Sequence, residues 1–422
     1  MKKRLLIILV TFALVVLAWN LKSLSSFIST PLRIENFDKI KKEDDLLYLK
    51  LLFSKDDVIH FEKLYSKYKF INAGPEYQSF LKDYLLLNKW RKSKIEYKGE
   101  VYDIKVKSMG RTPTFHKERE FISLNIKVLK GKIEGVSRFN LIVYWRIKRR
   151  HDVVGKLSSY LNIQCQKGKL AIVNVEGIGE KLFWFEYRLK PDYLRKEIGD
   201  NFISLDCVND NSLIYTDDGT KNIDLLNSQV HNELDKLNLS NELQSQISKD
   251  YEKFNQAIMN QNTNVVNNYL DIEYIFRLQV FRYIYGDDSH AFNTGNLLVS
   301  YDTIKRKFFP MTHRDCISRK LNTKIDLFSQ MHNNLDREMY SKLLEVSFLS
   351  DSIRGRFNQY LKNFIVNNSE KINNMVESSK HYDNFYYSTS IKTKIGLQEP
   401  VFFINNNLNF LLNEFLLKNY VK

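Results

Sequence analysis

Apolar residues recur along the chain with two different periods, and the changes between them predict its organisation. From about Asp38 to Trp90 they return every three or four positions: Leu46, Leu47, Leu49, Leu51 and Leu52, then Val58, Phe61, Leu64 and Tyr65, then Tyr77, Phe80, Leu81, Tyr84 and Leu85. This spacing predicts helices, with a turn at Gly74-Pro75. From Ile95 the period becomes two. Ile95, Tyr97, Val101, Tyr102, Ile104 and Val106 alternate with polar residues around Lys98-Gly99-Glu100, which predicts a hairpin. Further strands are expected at Phe121 to Leu129, Arg138 to Tyr144, Leu170 to Val175 and Lys181 to Leu189, with a helix near Val153 to Leu161 among them. Asn201 to Leu205 reads as another strand, and the Asn-, Asp- and Ser-rich stretch 206–220 reads as a loop. Helical spacing then holds from about Ile223 to the C-terminus, including Leu243, Ile247, Tyr251, Phe254 and Ile258 in a segment rich in Asn and Gln.

One hairpin interrupts this helical half. Asp271, a residue type that caps helix starts, precedes Ile272, Ile275, Phe276, Val280, Tyr283 and Ile284 at helical spacing, and the run stops at Gly286. Asp287, Asp288, Ser289, His290, Asn293, Thr294 and Asn296 follow before the strand-like Leu297, Leu298 and Val299. A second strand-like piece, Phe308 to Met311, leads to Thr312, His313, Arg314 and Asp315. A buried helix, a polar turn and a hairpin ending near a carboxylate can hold metal and phosphate groups.

Composition extends this picture in three ways. A hydrophobic content of 43% with 13% aromatics predicts a folded protein, and the length allows two or three units. A formal charge of +15 favours acidic partners, with a basic surface kept for solubility as the alternative. Lys2, Lys3 and Arg4 precede an apolar run from Leu5 to Trp19, the pattern of a signal peptide or short signal anchor. The main domain is therefore expected outside the cytoplasm, membrane-anchored, or secreted if the segment is cleaved. The expected division is a membrane segment at 1–24, a membrane-proximal helical region at 25–94, a β-rich unit at 95–190 and a helical unit at 191–422 carrying the hairpin at 286–315. Cys165, Cys207 and Cys316 make no disulfide framework and read as small core residues.

Several of these stretches together resemble the CotH family of spore-coat kinase-like proteins. Tyr102-Asp-Ile-Lys-Val-Lys-Ser-Met-Gly110-Arg111 is similar to the family's opening strand and glycine turn, and Ser123-Leu-Asn-Ile-Lys127-Val-Leu-Lys130-Gly131 to its lysine strand. Gly179-Glu-Lys-Leu-Phe-Trp-Phe-Glu186 resembles the strand that ends in a hinge Glu. His290-Ala-Phe-Asn-Thr-Gly-Asn296-Leu-Leu-Val-Ser-Tyr301 resembles the acidic turn with its strand, and Phe309-Pro-Met-Thr-His-Arg-Asp315 the second strand and turn. In the last stretch His313-Arg314-Asp315 stands where the family has Trp-Asp-x-Asp or Phe-Asp.

The resemblance implies an α+β, atypical protein-kinase-like bilobal fold with an antiparallel β-rich N-lobe and a mainly helical C-lobe. It also implies ATP with Mg²⁺, or Mn²⁺, as cofactor. Lys127 would meet the nucleotide phosphates, with Lys130 in reserve and Glu186 near the nucleotide. Asn296 or Asn293 with Asp315 would hold the metal. Asp288 would orient the acceptor hydroxyl, Asp287 would be its alternative, and His290 would fix the loop or stabilise transferring charge. Phosphoryl transfer asks for these parts: cations on the phosphates, oxygen ligands for the metal and a carboxylate at the acceptor. The acceptor would be a hydroxyl of an envelope protein or polysaccharide; nucleic acid is not expected.

A second reading stands beside the first. ATP is scarce outside the cytoplasm, and the Asp315 turn departs from the family pattern, so the chain could be a pseudokinase or structural envelope protein that binds a partner or anionic polysaccharide. Asp287 and Asp288 would then simply follow a helix end on a solvated turn. His290, His313 and Cys316 lack the ligand number and spacing of a zinc site. The letters His-Arg-Asp at 313–315 lack the downstream Asn and Asp-Phe-Gly of protein kinases. GxSxG, HExxH and GxxxxGKS are absent from the sequence. The aromatic and basic stretch from Tyr144 to Arg150 reads as a solvated loop or a contact for an anionic polymer.

Overall fold

The structure is a computed structural model that describes residues 33–34, 46–67, 84, 86–109, 122–143, 150–188, 190–206, 213–215, 221–223, 239–286, 298–311, 346–379, 386–387 and 404–413. A short ladder pairs β1 (Arg33–Ile34) with a strand near the C-terminus, Tyr386–Tyr387. The main sheet begins at β2 (Leu47–Leu52), where Leu47, Leu49 and Leu51 are buried and Tyr48 and Lys50 are exposed. This corrects the helical expectation for that stretch. Five leucines in seven residues satisfy either period, and the alternate three fill a gap between two other strands.

Those strands are β3 (Arg91–Tyr97), antiparallel to β2, and β7 (Gly168–Val175), parallel to it. Between β2 and β3 lies α1 (Lys55–Lys67), and β3 turns into β4 (Glu100–Ser108) through Lys98 and Gly99, both at positive φ as a two-residue hairpin requires. With β5 (Leu124–Val128), β6 (Arg138–Val143) and β8 (Gly179–Tyr187), these strands form a closed barrel in the order β2-β3-β4-β5-β6-β8-β7. Closure overturns the expected kinase-like bilobal fold with its antiparallel N-lobe sheet. The seam is a parallel pairing between a strand expected to be helix and one from the middle of the chain.

Alternation dictates what fills the barrel. Ile104, Val106, Leu124, Ile126, Phe139, Leu141, Val173, Phe183 and Phe185 point inward, and the Phe139 and Phe185 rings stack at 4.3 Å. At one end Glu134 accepts from Tyr97 and pairs with Lys169. Near the start of β3, Arg91 Nε donates to Asp57 at 2.8 Å. That carboxylate also accepts from Ser54 N and Oγ, while Asp57 N donates to Ser54 Oγ, a reciprocal cap that starts α1.

The helical part attaches to the outside of this barrel. After β6 comes α2 (Arg150–Tyr160), which contacts β7 and two later helices. Next are α3 (Pro191–Glu197), β9 (Phe202–Asp206) and a small hairpin of β10 (Leu213–Tyr215) and β11 (Lys221–Ile223). The helices α4 (Asn241–Met259), α5 (Thr263–Tyr269) and α6 (Ile272–Tyr285) lead to the interrupting hairpin, β12 (Leu298–Asp302) and β13 (Lys307–Met311). The sheet order there is β13-β12-β9. The chain continues through α7 (Asp351–Ser378), the strand β14 (Tyr386–Tyr387) and a last helix at 404–413.

The cap of α6 follows the sequence reading. Asp271 accepts from Tyr274 N at 3.0 Å, and Gly286 takes the left-handed conformation at the other end. Tyr274 is buried in a core separate from the barrel's, built from the helices with β12 and β13, and its hydroxyl donates to Pro310 O at 2.6 Å and accepts from Gln164 N at 3.1 Å. The expected membrane anchoring is also corrected. Among the described residues no helix is long and apolar enough to cross a membrane, and the run at 1–24 lies outside them.

Candidate functional site

The outer face of β4, β5, β6 and β8 carries the polar groups that the barrel interior excludes. On β5, Leu124, Ile126 and Val128 face inward, so Asn125 and Lys127 face outward, half-buried. Antiparallel register then fixes their neighbours, because directly paired residues share a face. Lys127 pairs with Lys105 on β4 and Arg138 on β6. One register row away, Lys107, Asn125, Asn140 and Glu186 follow one another across β4, β5, β6 and β8.

Glu186 is fully buried on this outer face, and Asn140 Nδ2 donates to its Oε2 at 2.5 Å. Burying a carboxylate demands such donors. Arg188 Nη1 donates to Asn125 Oδ1 at 2.8 Å. Burial, and then the positive charge of Arg188, lowers the Lys107 pKa below the ordinary lysine value; its ammonium lies over the Trp90 ring at 5.0 Å from the centroid. The face is thus strongly cationic, with one sequestered carboxylate.

Gly168 completes the row as the register partner of Glu186 on β7. A Cβ at this position would come within 2.3 Å of Trp184 Nε1 and 2.5 Å of Phe185 O, so the indole can lie across the strand only because residue 168 has no side chain.

The structure therefore brings Lys127 and Glu186 to one face, two strands apart, which corresponds to about 10 Å across the sheet. Lys130 is exposed in the connection beyond β5 and does not join them. Asp287, Asp288, His290, Asn293, Asn296 and Asp315 lie outside the described residues, although α6 and the β12–β13 hairpin that flank them are as read from the sequence. Lys107, Asn125, Asn140, Arg188 and Trp184 join this face without any motif in the sequence to mark them. Only the strand register reveals them, since each is an unremarkable member of an alternating stretch.

The chemistry this face offers is recognition of anions: ammonium and guanidinium groups beside amide donors, in a partly desolvated setting. Phosphate groups of ATP fit it. Among the described residues no group of three or more His, Cys, Asp or Glu side chains is placed to hold a metal ion, and Asn293, Asn296 and Asp315 lie outside them. A surface pocket of about 560 Å³ lies elsewhere, beside Gln246, Lys249, Asp250, Lys253 and Arg306. Its Asp250 carboxylate is engaged by Tyr301 Oη at 2.6 Å and by Arg306 Nε at 2.8 Å, which makes it a structural tie between α4 and the β12–β13 turn.

No family model matches the chain, and no curated protein does. Solved structures with weak structural similarity include the following two. The Helicobacter pylori proinflammatory kinase CtkA aligns with a TM-score of 0.32 and 11% identity over 78% of this chain and 92% of its own. HipA, HipB and operator DNA of a Shewanella oneidensis MR-1 toxin–antitoxin system form a complex, one chain of which aligns with a TM-score of 0.32 and 10% identity over 87% of this chain and 72% of its own.

Proposed function

We propose that this chain is a kinase-like phosphotransfer protein that binds the phosphates of ATP on the outer face of its barrel. The observation that carries this reading is the placement of half-buried Lys127, flanked by Lys105 and Arg138, on the same face as the buried Glu186–Asn140 pair. Lys127 neutralises phosphate charge, and Glu186 marks the nucleotide end of the face. When bound, Mg²⁺ or Mn²⁺ supplies further charge neutralisation; Asn293 or Asn296 with Asp315 are its proposed ligands, by their likeness to the CotH pattern. Asp288, or Asp287, orients the acceptor hydroxyl on a protein or polysaccharide, and His290 fixes the loop or stabilises transferring charge.

The test is nucleotide titration of the full chain with Mg²⁺ or Mn²⁺, followed by autophosphorylation. Lys127→Ala should weaken ATP binding by about tenfold or more, equivalent to about 1.4 kcal/mol. Asp288→Ala should abolish transfer while ATP still binds. Absence of binding at millimolar ATP overturns the proposal, and binding without transfer in the unaltered protein selects the pseudokinase reading instead.

A further inference from the structure

We infer that the barrel carries a docking row for a linear phosphate polyanion longer than a nucleoside triphosphate. The row is visible only in the register. Lys92 on β3 pairs with Lys105 on β4, Lys105 with Lys127 on β5, and Lys127 with Arg138 on β6. Just past β8, Arg188 N donates to Arg138 O at 3.4 Å, so the pairing continues and Arg188 takes the next place. Five cations therefore follow one another around the outside of the barrel, over five of its seven strands, so a flexible polyanion would follow the curve. Four interstrand spacings of about 4.8 Å give the row a length of about 19 Å.

Such a row is unfavourable by itself. Like charges directly opposite on neighbouring strands destabilise a sheet, and the same barrel shows the ordinary remedy one register step away, where Lys94 faces Asp103. Among the described residues, no carboxylate lies within ion-pair distance of Lys92, Lys105, Lys127 or Arg138. Lys107, in the adjoining row, feels the same excess charge through Arg188. A bound anion with repeating charge removes this repulsion at every rung.

The kind of anion follows from what accompanies the charges. Proteins that hold single-stranded nucleic acid stack the bases on aromatic rings. The row itself has no aromatic side chain; in the adjoining row the Lys107 ammonium lies over one face of the Trp90 ring, and the Trp184 indole packs, buried, across Gly168. A chain of phosphates without bases matches cations without platforms. This inference shares Lys127 with the proposed nucleotide site and extends that site away from Glu186, toward β3.

The experiment compares inorganic polyphosphate, tripolyphosphate, ATP with Mg²⁺ and a single-stranded oligonucleotide as ligands of the full chain, each over a range of salt. Polyphosphate should bind at least about tenfold more tightly than tripolyphosphate, with the steeper salt dependence of a multi-contact polyanion. The double substitution Lys92→Ala with Lys105→Ala should erase that advantage, and Lys92→Arg with Lys105→Arg should keep it. Equal binding of polyphosphate and tripolyphosphate, or unchanged polyphosphate binding in the double Ala variant, overturns the inference. So does an oligonucleotide that binds as tightly as polyphosphate. If ATP fails to bind while polyphosphate binds and depends on Lys92 and Lys105, the nucleotide reading fails and the row stands.

Discussion

At residue 168 the absence of a single carbon decides how the cationic face is finished. Any side chain there meets both the Trp184 indole and a backbone carbonyl, and the carbonyl cannot swing aside. Gly168→Ala should therefore cost about 1–3 kcal/mol, the range for overpacking a filled site, measured by denaturant unfolding. Trp184→Phe should recover only part of that loss, because the Phe185 carbonyl remains. Lys105 offers the opposite outcome. With a cation on each side, Lys105→Ala should raise the stability of the ligand-free protein by about 0.2–1 kcal/mol while weakening polyanion binding. Alternation made Lys127 legible in the sequence, since Asn125 and Lys127 had to share a face. Its partners were not legible, because which residue of β4 or β6 lies opposite depends on pairings between strands that no local pattern specifies.

The element most difficult to read was β2. Leu46, Leu47, Leu49, Leu51 and Leu52 satisfy helical and strand spacing alike, and leucine favours helix. Tertiary context chose the strand, because β3 and β7 both had edges to fill. Leu49→Ala, which empties space inside the barrel, should cost about 2–5 kcal/mol, whereas Lys50→Ala on the outer side should change stability by less than about 0.5 kcal/mol. Alternation of buried and exposed positions sustained from Leu47 to Leu51 is the period of a strand and not of a helix. The helix that follows was legible, for the opposite reason. Val58, Phe61 and Leu64 keep helical spacing without help from anything distant, and Asp271 and Gly286 bracket α6 in the same local way.

On the scale of the whole molecule, acid should loosen the barrel from both ends. Burial works to raise the Glu134 pKa, but hydrogen bonds from Lys169 and Tyr97, with the charge of Lys169, outweigh it and hold the carboxyl below its usual 4.5. At the other end burial likewise opposes the bonds from Arg91 and Ser54, which hold Asp57 below 3.8. Folded values below the unfolded ones mean that both contributions are complete above the unfolded pKa. They are lost as pH falls through the folded values. Unfolding midpoints followed from pH 7 downward should drop in the acid range, and Glu134→Gln should flatten part of that fall. Strand and helix content was largely readable from the sequence, while closure of the sheet was not. An open lobe and a barrel use the same alternating strands, and they differ in one seam.

That seam has a consequence for synthesis. Leu47 to Leu51 emerges from the ribosome well before Ala171 to Val175, its parallel partner, has been translated. Until then a leucine-rich edge waits without its neighbour, exposed to aggregation or to capture by a chaperone. Because β8 joins β7 to β6, a nascent chain paused far enough beyond Tyr187 for β7 and β8 to have left the ribosome should be far more resistant to protease than one paused with either strand still inside it.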